Sequence, residues 1–200
     1  MTILILIALA AGILCGRFLF SAQAAALIGQ ASDWVLMLLM FSVGISVGTN
    51  KDLFKRLRRM DLRVWMVPAG VILGSMAGGA LCSLFVSLGF WESVGVSAGM
   101  GWYSLCGVML SDFYGADVGA AAFLSNLLRE ILSFLTIPLA VRWLNPYAAI
   151  SLAGATSEDT TLPVLIRHTS AEMVVYSVVN GVLTSAAVPV LLRLIYDMGR

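Results

Sequence analysis

The sequence predicts an all-α, polytopic membrane protein, a bundle of about seven hydrophobic segments with two interrupted or re-entrant ones in its second half. Three observations carry this expectation. The chain of 200 residues is 60% hydrophobic and 12% charged, with a mean hydropathy of +0.96, whereas soluble domains run about 45–50% apolar and about 25% charged. Its charges are gathered between long apolar runs of the length that crosses a bilayer, roughly 20 residues. Several of those runs in the second half are broken by Gly, Pro and clustered polar residues. A soluble domain of this composition lacks the polar surface to cover itself. The formal net charge of +1 leaves no basic face to neutralise phosphates, so nucleic acid is excluded as a partner.

Met1–Gly16 is free of charge and continues through Arg17 to Phe20. Ala22-Gln23-Ala24 resembles a signal-peptidase site, but no positive region precedes the apolar run and Arg17 interrupts it, so the expectation is an uncleaved first span. Trp34–Asn50 is the second. Six of the twelve basic residues follow it, Lys51, Lys55, Arg56, Arg58, Arg59 and Arg63. Basic residues are retained in the cytoplasm, so this loop is expected inside and the Ser21–Ser32 connection, which has none, outside. Alternation then places the N-terminus in the cytoplasm and, with an odd number of segments, the C-terminus outside. Val64–Trp91 is the third segment, with Gly74, Gly78 and Gly79 suited to close helix packing in lipid. Trp34, Trp65, Trp91 and Trp143 fall at segment ends, as interfacial aromatics do. No stretch is long enough for an extramembrane domain, and residues 1–200 are read as one integral membrane domain.

The fourth segment, Ser93–Ser111, is rich in Gly, with Gly95, Gly99, Gly101 and Gly107 beside Trp102, Tyr103 and Ser104. The fifth, Val118–Val141, is apolar except for Arg129-Glu130. Asn126 and Glu130 are i and i+4 and face a common side, while Arg129 lies about 100° round the helix. The pair either lines a site or holds the fold, and Arg129 is placed to pair with Glu158 or Asp159. The sixth, Trp143–Ile166, contains Gly154-Ala155-Thr156-Ser157-Glu158-Asp159-Thr160-Thr161-Leu162-Pro163. Gly154 suits the end of a half-helix, the hydroxyl and carboxylate cluster suits the cap of another, and Pro163 suits its first turn. An ordinary loop between shorter spans is the alternative. Whether residues 94–117 and 148–167 span fully or re-enter stays open. Met173–Leu192 is the seventh segment, and its Asn180 makes either an interhelical hydrogen bond or part of a site lining.

Non-helical backbone survives at membrane depth only when buried in protein or lining a wet cavity. Paired interrupted segments point to a transporter site. Carboxylates at that depth cost about 2.5–3.5 kcal/mol and mark pathways or relays. Two adjacent carboxylates cannot share one helix face, so one of Glu158 and Asp159 is expected to face the site and the other water or a partner. Enzymatic readings are weaker. Gly95-Val96-Ser97-Ala98-Gly99 matches a nucleophile-elbow pattern but lies in a membrane segment instead of an α/β turn. Asp117 and Asp159 make a poor aspartyl-protease pair because Asp117 falls in a short loop. No phosphate-cradling loop is present, so active transport would be secondary. Cys15, Cys82 and Cys106 lie in apolar runs without metal-ligand spacing, and no cofactor or metal is expected.

Gly101-Trp102-Tyr103-Ser104, Arg129-Glu130, and Gly154-Ala155-Thr156-Ser157 followed by Asp159 and Thr161-Leu162-Pro163 resemble the lysine exporter family LysO. The similarity runs from Leu36-Met37-Leu38-Leu39 and Val43-Gly44-Ile45 to the last span. It implies an inner-membrane exporter of L-lysine and analogues such as thialysine that depends on intramembrane acidic residues. Asp159 matches the family carboxylate, Glu158 occupies the variable place beside it, and Arg129 and Glu130 carry over as a pair. Asn126 and Arg129 would line or brace the site, with Tyr103, Ser104, Thr156, Ser157 and Asn180 as further candidates. Full-length members commonly carry an extra N-terminal membrane region with its own acidic residue. Its apparent lack here implies a homo-oligomer or a small membrane partner subunit. Export of a cation against an interior-negative potential opposes about 2.3 kcal/mol per charge per 100 mV, so antiport against protons or another cation is expected.

Overall fold

The computed structural model describes residues 63–200 continuously, together with scattered positions between Ile7 and Ile45; the side chains of Arg63, Ala171 and Glu172 are outside the description. The chain divides into two compact units, Met1–Ile45 and Ser46–Arg200. In the first, Ala11, Gly12, Leu14, Cys15, Gly16 and Phe18 are helical, a turn follows at Leu19, and Ser21 Oγ accepts the Ala24 N–H at 3.3 Å. A serine hydroxyl in that position starts a helix. Ala24, Leu27, Ile28 and Ala31 are accordingly helical, where the sequence suggested a connection over Ser21–Ser32. The basic loop expected at Lys51–Arg59 lies outside the described residues.

In the second unit, every regular element among the described residues is helical: α1 (Arg63–Cys82), α2 (Phe90–Ala98), α3 (Tyr103–Tyr114), α4 (Ala116–Trp143), α5 (Pro146–Ala153), a 3₁₀ segment (Gly154–Glu158), α6 (Leu162–His168) and α7 (Ala171–Gly199). Three stretches, Val64–Cys82, Ala116–Trp143 and Met173–Gly199, are long and apolar enough to cross a membrane. The others are not. At 1.5 Å per residue, the nine residues of α2 and the twelve of α3 reach about 14 Å and about 18 Å, and the eight and seven residues of α5 and α6 about 12 Å and about 10 Å, against a hydrocarbon core of about 30 Å.

The short helices fold back as two hairpins that enter from opposite ends of the bundle. In the first, α2 and α3 lie side by side, with Cys106 Sγ against the carbonyls of Gly95 and Val96 at 3.8 and 3.9 Å. Both of its bases meet the C-terminal end of α7: Trp91 packs where Gly199 has no side chain, and Phe113 and Tyr114 pack on the Tyr196 ring. In the second hairpin, the start of α5 packs on the start of α7 through Tyr147 and Tyr176, rings edge to face at 5.4 Å. The end of α6 is joined to that same start of α7 by two residues. A buried cluster of Val64, Val67, Ile137, Ala140, Ile150 and Leu165 fixes the start of α1 and the end of α4 there too. So α1 and α7 run from this near end to the far end, α4 returns, and each hairpin precedes the long helix that supports it. Hairpin followed by long helix occurs twice, in opposite directions, an inverted-topology repeat.

Residues 94–117 and 148–167 each lie in a pair of short helices that folds back, and neither forms one continuous helix. The hairpin geometry also divides the single third segment expected at Val64–Trp91, since α1 stops at Cys82 and Trp91 belongs to α2. An apolar turn carries no charge to mark it. Pro68, Pro138 and Pro189 lie inside the long helices.

Candidate functional site

The hairpin tips meet in the middle of the bundle. Met100 (φ 48°) and Gly101 (φ 102°) turn the first tip; Gly154 (φ 62°) turns the second. The Ala155 N–H donates to the Met100 carbonyl at 2.9 Å, joining the tips directly. A Cβ on Gly154 would stand 2.6 Å from that carbonyl oxygen, so the approach requires glycine. Gly181 on α7 plays the corresponding part against the second tip, since a Cβ there would meet the Glu158 backbone nitrogen at 2.6 Å.

Each tip exposes backbone groups that no helix satisfies, and each is held by an asparagine from the long helix that follows. Asn126, 2% exposed, accepts the Gly101 N–H at 2.8 Å through Oδ1 and donates from Nδ2 to the Val96 carbonyl at 2.8 Å and the Ala122 carbonyl at 2.9 Å. Asn180, fully buried, donates from Nδ2 to the Gly154 carbonyl at 3.0 Å and to Ser157 Oγ at 2.9 Å. Its Oδ1 has no hydrogen-bond partner among the described residues. Asn126 and Glu130, expected on one helix face, do share it, but they touch different tips.

The second tip carries the ionisable groups. Asp159 is exposed and accepts from the Thr160 N–H. Glu130, 7% exposed, lies beside Thr160 and within electrostatic range of Asp159, and its Oε2 has no hydrogen-bond partner among the described residues. Tyr103, at the start of α3, is within electrostatic range of both carboxylates and packs edge to face on Phe123. Glu158 points the other way, its Oε1 accepting from Ser185 Oγ at 3.1 Å. The two adjacent carboxylates therefore take different surroundings, as their spacing requires.

The remaining sequence candidates divide. Ser157 Oγ is shared between the carbonyls of Gly154 and Ser177, both at 2.8 Å, and Thr156 Oγ1 donates to the Ala153 carbonyl at 2.9 Å; both hydroxyls hold the tip together. Thr161 does not cap α6 with its side chain, and its hydroxyl donates instead to the Thr156 carbonyl at 2.9 Å. Pro163 does fall in the first turn of α6. Ser104 is exposed on α3 and makes no hydrogen bond to the described residues, so it stands outside the cluster. Arg129 forms no ion pair with Glu158 or Asp159; its Nη1 donates to Ser75 Oγ on α1 at 2.9 Å, and Nη2 approaches Gly154. Consecutive residues on α4 point to different neighbours, and the α1 face is the one Arg129 meets. Thr160, Ser75 and Ser185 were not singled out from sequence. Each is a hydroxyl beside a charged group, and their position within apolar or interrupted segments was the available signal.

Metal binding has little support in this donor set. No group of three or more His, Cys, Asp or Glu residues converges among the described residues. Carboxylates, a phenol and hydroxyls, collected at mid-depth in an apolar bundle, are equipped to take an ammonium group or to pass protons.

No solved structure matches the chain. It is 36% identical over 163 residues to the Escherichia coli protein named lysine exporter LysO, a match covering 82% of this chain and 54% of that one. It is 34% identical over 159 residues to the Haemophilus influenzae protein named "Putative lysine exporter", covering 80% of each. The chain thus spans about half the length of the Escherichia coli relative. The family description lysine exporter LysO matches residues 6–196. With its apolar spans, inverted hairpins and acidic tip, the chain is a multi-pass membrane protein that belongs to the lysine exporter LysO family.

Proposed function

We propose that this chain exports L-lysine, or a closely related cationic amino acid, across the inner membrane in exchange for protons or another cation. The observation that carries the reading is the acidic tip. Asp159, Glu130 and Tyr103 lie within electrostatic range of one another beside the second hairpin tip, with no cation in ion-pair contact among the described residues. Carboxylates in that position, with no counter-ion among the described residues, suit a substrate ammonium and a coupling proton in turn. Antiport follows from the energetics, since a passive pore cannot move a cation uphill against about 2.3 kcal/mol per charge per 100 mV. A homo-oligomer or a complex with a small membrane subunit belongs to this proposal, as does the absence of catalysis.

The decisive experiment is efflux of labelled lysine from cells without their own exporters that express this chain. Efflux above empty cells, abolished by Asp159→Asn with the protein still inserted, supports export through the tip. Unchanged efflux in that variant sinks it.

The orientation is proposed from charge. The hairpins bring Arg142 and Arg167, both exposed, to the end of the bundle where α1 begins at Arg63. Basic residues stay cytoplasmic, so the α4–α5 connection faces the cytoplasm and the C-terminus faces outside. A single cysteine replacing Asn145, in a chain freed of its own cysteines, should resist an impermeant thiol reagent in intact cells. Labelling from outside would reverse the orientation.

A further inference from the structure

We infer that Arg129 supplies a subsite for the substrate's carboxylate, on the side of α4 that faces α1. The inference rests on the export reading and extends it, because the acidic tip accounts only for a cationic group. Arg129 lies midway along α4, between the long helices and the second hairpin. A guanidinium stays charged in any protein environment and carries five donors in a planar fork. Here Ser75 Oγ takes one of them at 2.9 Å, and no carboxylate among the described residues is in ion-pair contact. Glu130 is the next residue, yet it points to the other tip face.

Arg129 also borders space. It lines a groove of about 700 Å³ between α1, α4 and α5, with Gly70 and Gly74 on the opposite wall. A Cβ at either glycine would meet nothing within 4 Å. The groove is of the size that takes a small ligand. Three of its five lining hydroxyls are already committed as donors, Ser133 to the carbonyls of Arg129 and Leu152, Thr136 to Leu132, and Ser151 to Tyr147. What they keep is lone pairs, which accept from an α-ammonium. A planar fork of free donors beside a ring of acceptors is complementary to the zwitterionic head of an amino acid, the carboxylate bidentate on Arg129. The competing account is a structural brace, in which Arg129 serves only the carbonyl end of α5.

The test is a thermal-stability panel on the purified chain in lipid nanodiscs, with lysine, lysine amide, norleucine and the diamine left when lysine loses its carboxylate. Lysine is expected to raise the melting temperature at concentrations at least about tenfold lower than lysine amide or the diamine require, the loss of one charge-assisted pair. Arg129→Gln is expected to erase that preference while leaving the response to the diamine unchanged. Equal responses to lysine, its amide and the diamine overturn the subsite while leaving lysine export standing. A response to norleucine equal to that for lysine keeps the carboxylate subsite and removes lysine as the preferred substrate. Should Arg129→Gln fail to insert, the wild-type panel decides alone. No response to any carboxylate overturns the subsite.

Discussion

The two hairpins are built on one plan and put it to different uses. Each is a pair of helices too short to cross, turned by a residue of positive φ and clasped by an asparagine on the next long helix. The first tip, Gly99–Trp102, has no ionisable side chain, and Asn126 spends both its amide nitrogen and its oxygen on backbone. The second tip carries Glu158, Asp159 and four hydroxyls, and Asn180 keeps an oxygen without a partner among the described residues. The contrast is between the tips, since Ser93 Oγ and Tyr114 Oη, toward the base of the first hairpin, also lack partners among the described residues: a saturated tip holds, and an unsaturated tip presents its chemistry. Unsatisfied polar groups are costly at membrane depth, so the three around the second tip, on Glu130, Thr160 and Asn180, mark where a ligand or proton is expected.

The largest expected effect tests the contact between the tips. Gly154→Ala puts a methyl against the Met100 carbonyl at 2.6 Å and requires an L residue at φ 62°. Strain and overpacking together should cost about 2–4 kcal/mol. Gly101→Ala in the other tip is strained by its φ of 102° but meets only a Thr156 methyl, at 3.2 Å, and should cost about 1–2 kcal/mol. Denaturant unfolding in micelles reads both. Equal losses would mean that the tips do not touch as closely as the Ala155–Met100 bond requires.

Much of this arrangement was legible in the sequence, and the rest was hidden for definite reasons. Gly154 and Pro163 mark the end of one half-helix and the first turn of the next through their own backbone chemistry, so the interruption was visible locally. The fold-back was not, because a hairpin and a broken span have the same hydropathy. The difference lies in contacts such as Trp91 against Gly199, far apart in the chain. Arg129 and Glu130 were recognisable as costly groups, but helical spacing says only that they diverge. That Arg129 meets Ser75, 54 residues away, and not Asp159 depends on which helix packs against which face.

A smaller effect sharpens the comparison between the two asparagines. Asn126→Ala leaves the Gly101 N–H without its partner in a buried place and the Val96 carbonyl with only the long Cys106 Sγ contact at 3.9 Å. Each orphaned group costs about 1–3 kcal/mol, so a loss of about 2–4 kcal/mol is expected. Asn180→Ala is milder. The Gly154 carbonyl keeps the Ser157 hydroxyl at 2.8 Å, and the substitution removes a buried oxygen that had no partner. Its expected cost is about 1 kcal/mol or less. Losses of equal size in the two variants would show that the Asn180 oxygen is satisfied within the folded chain, and the contrast between a saturated and an unsaturated tip would fail. A large loss at Asn126 with a small one at Asn180 means that the second clasp is held weakly by the fold itself, which leaves its oxygen free to answer to whatever enters the tip.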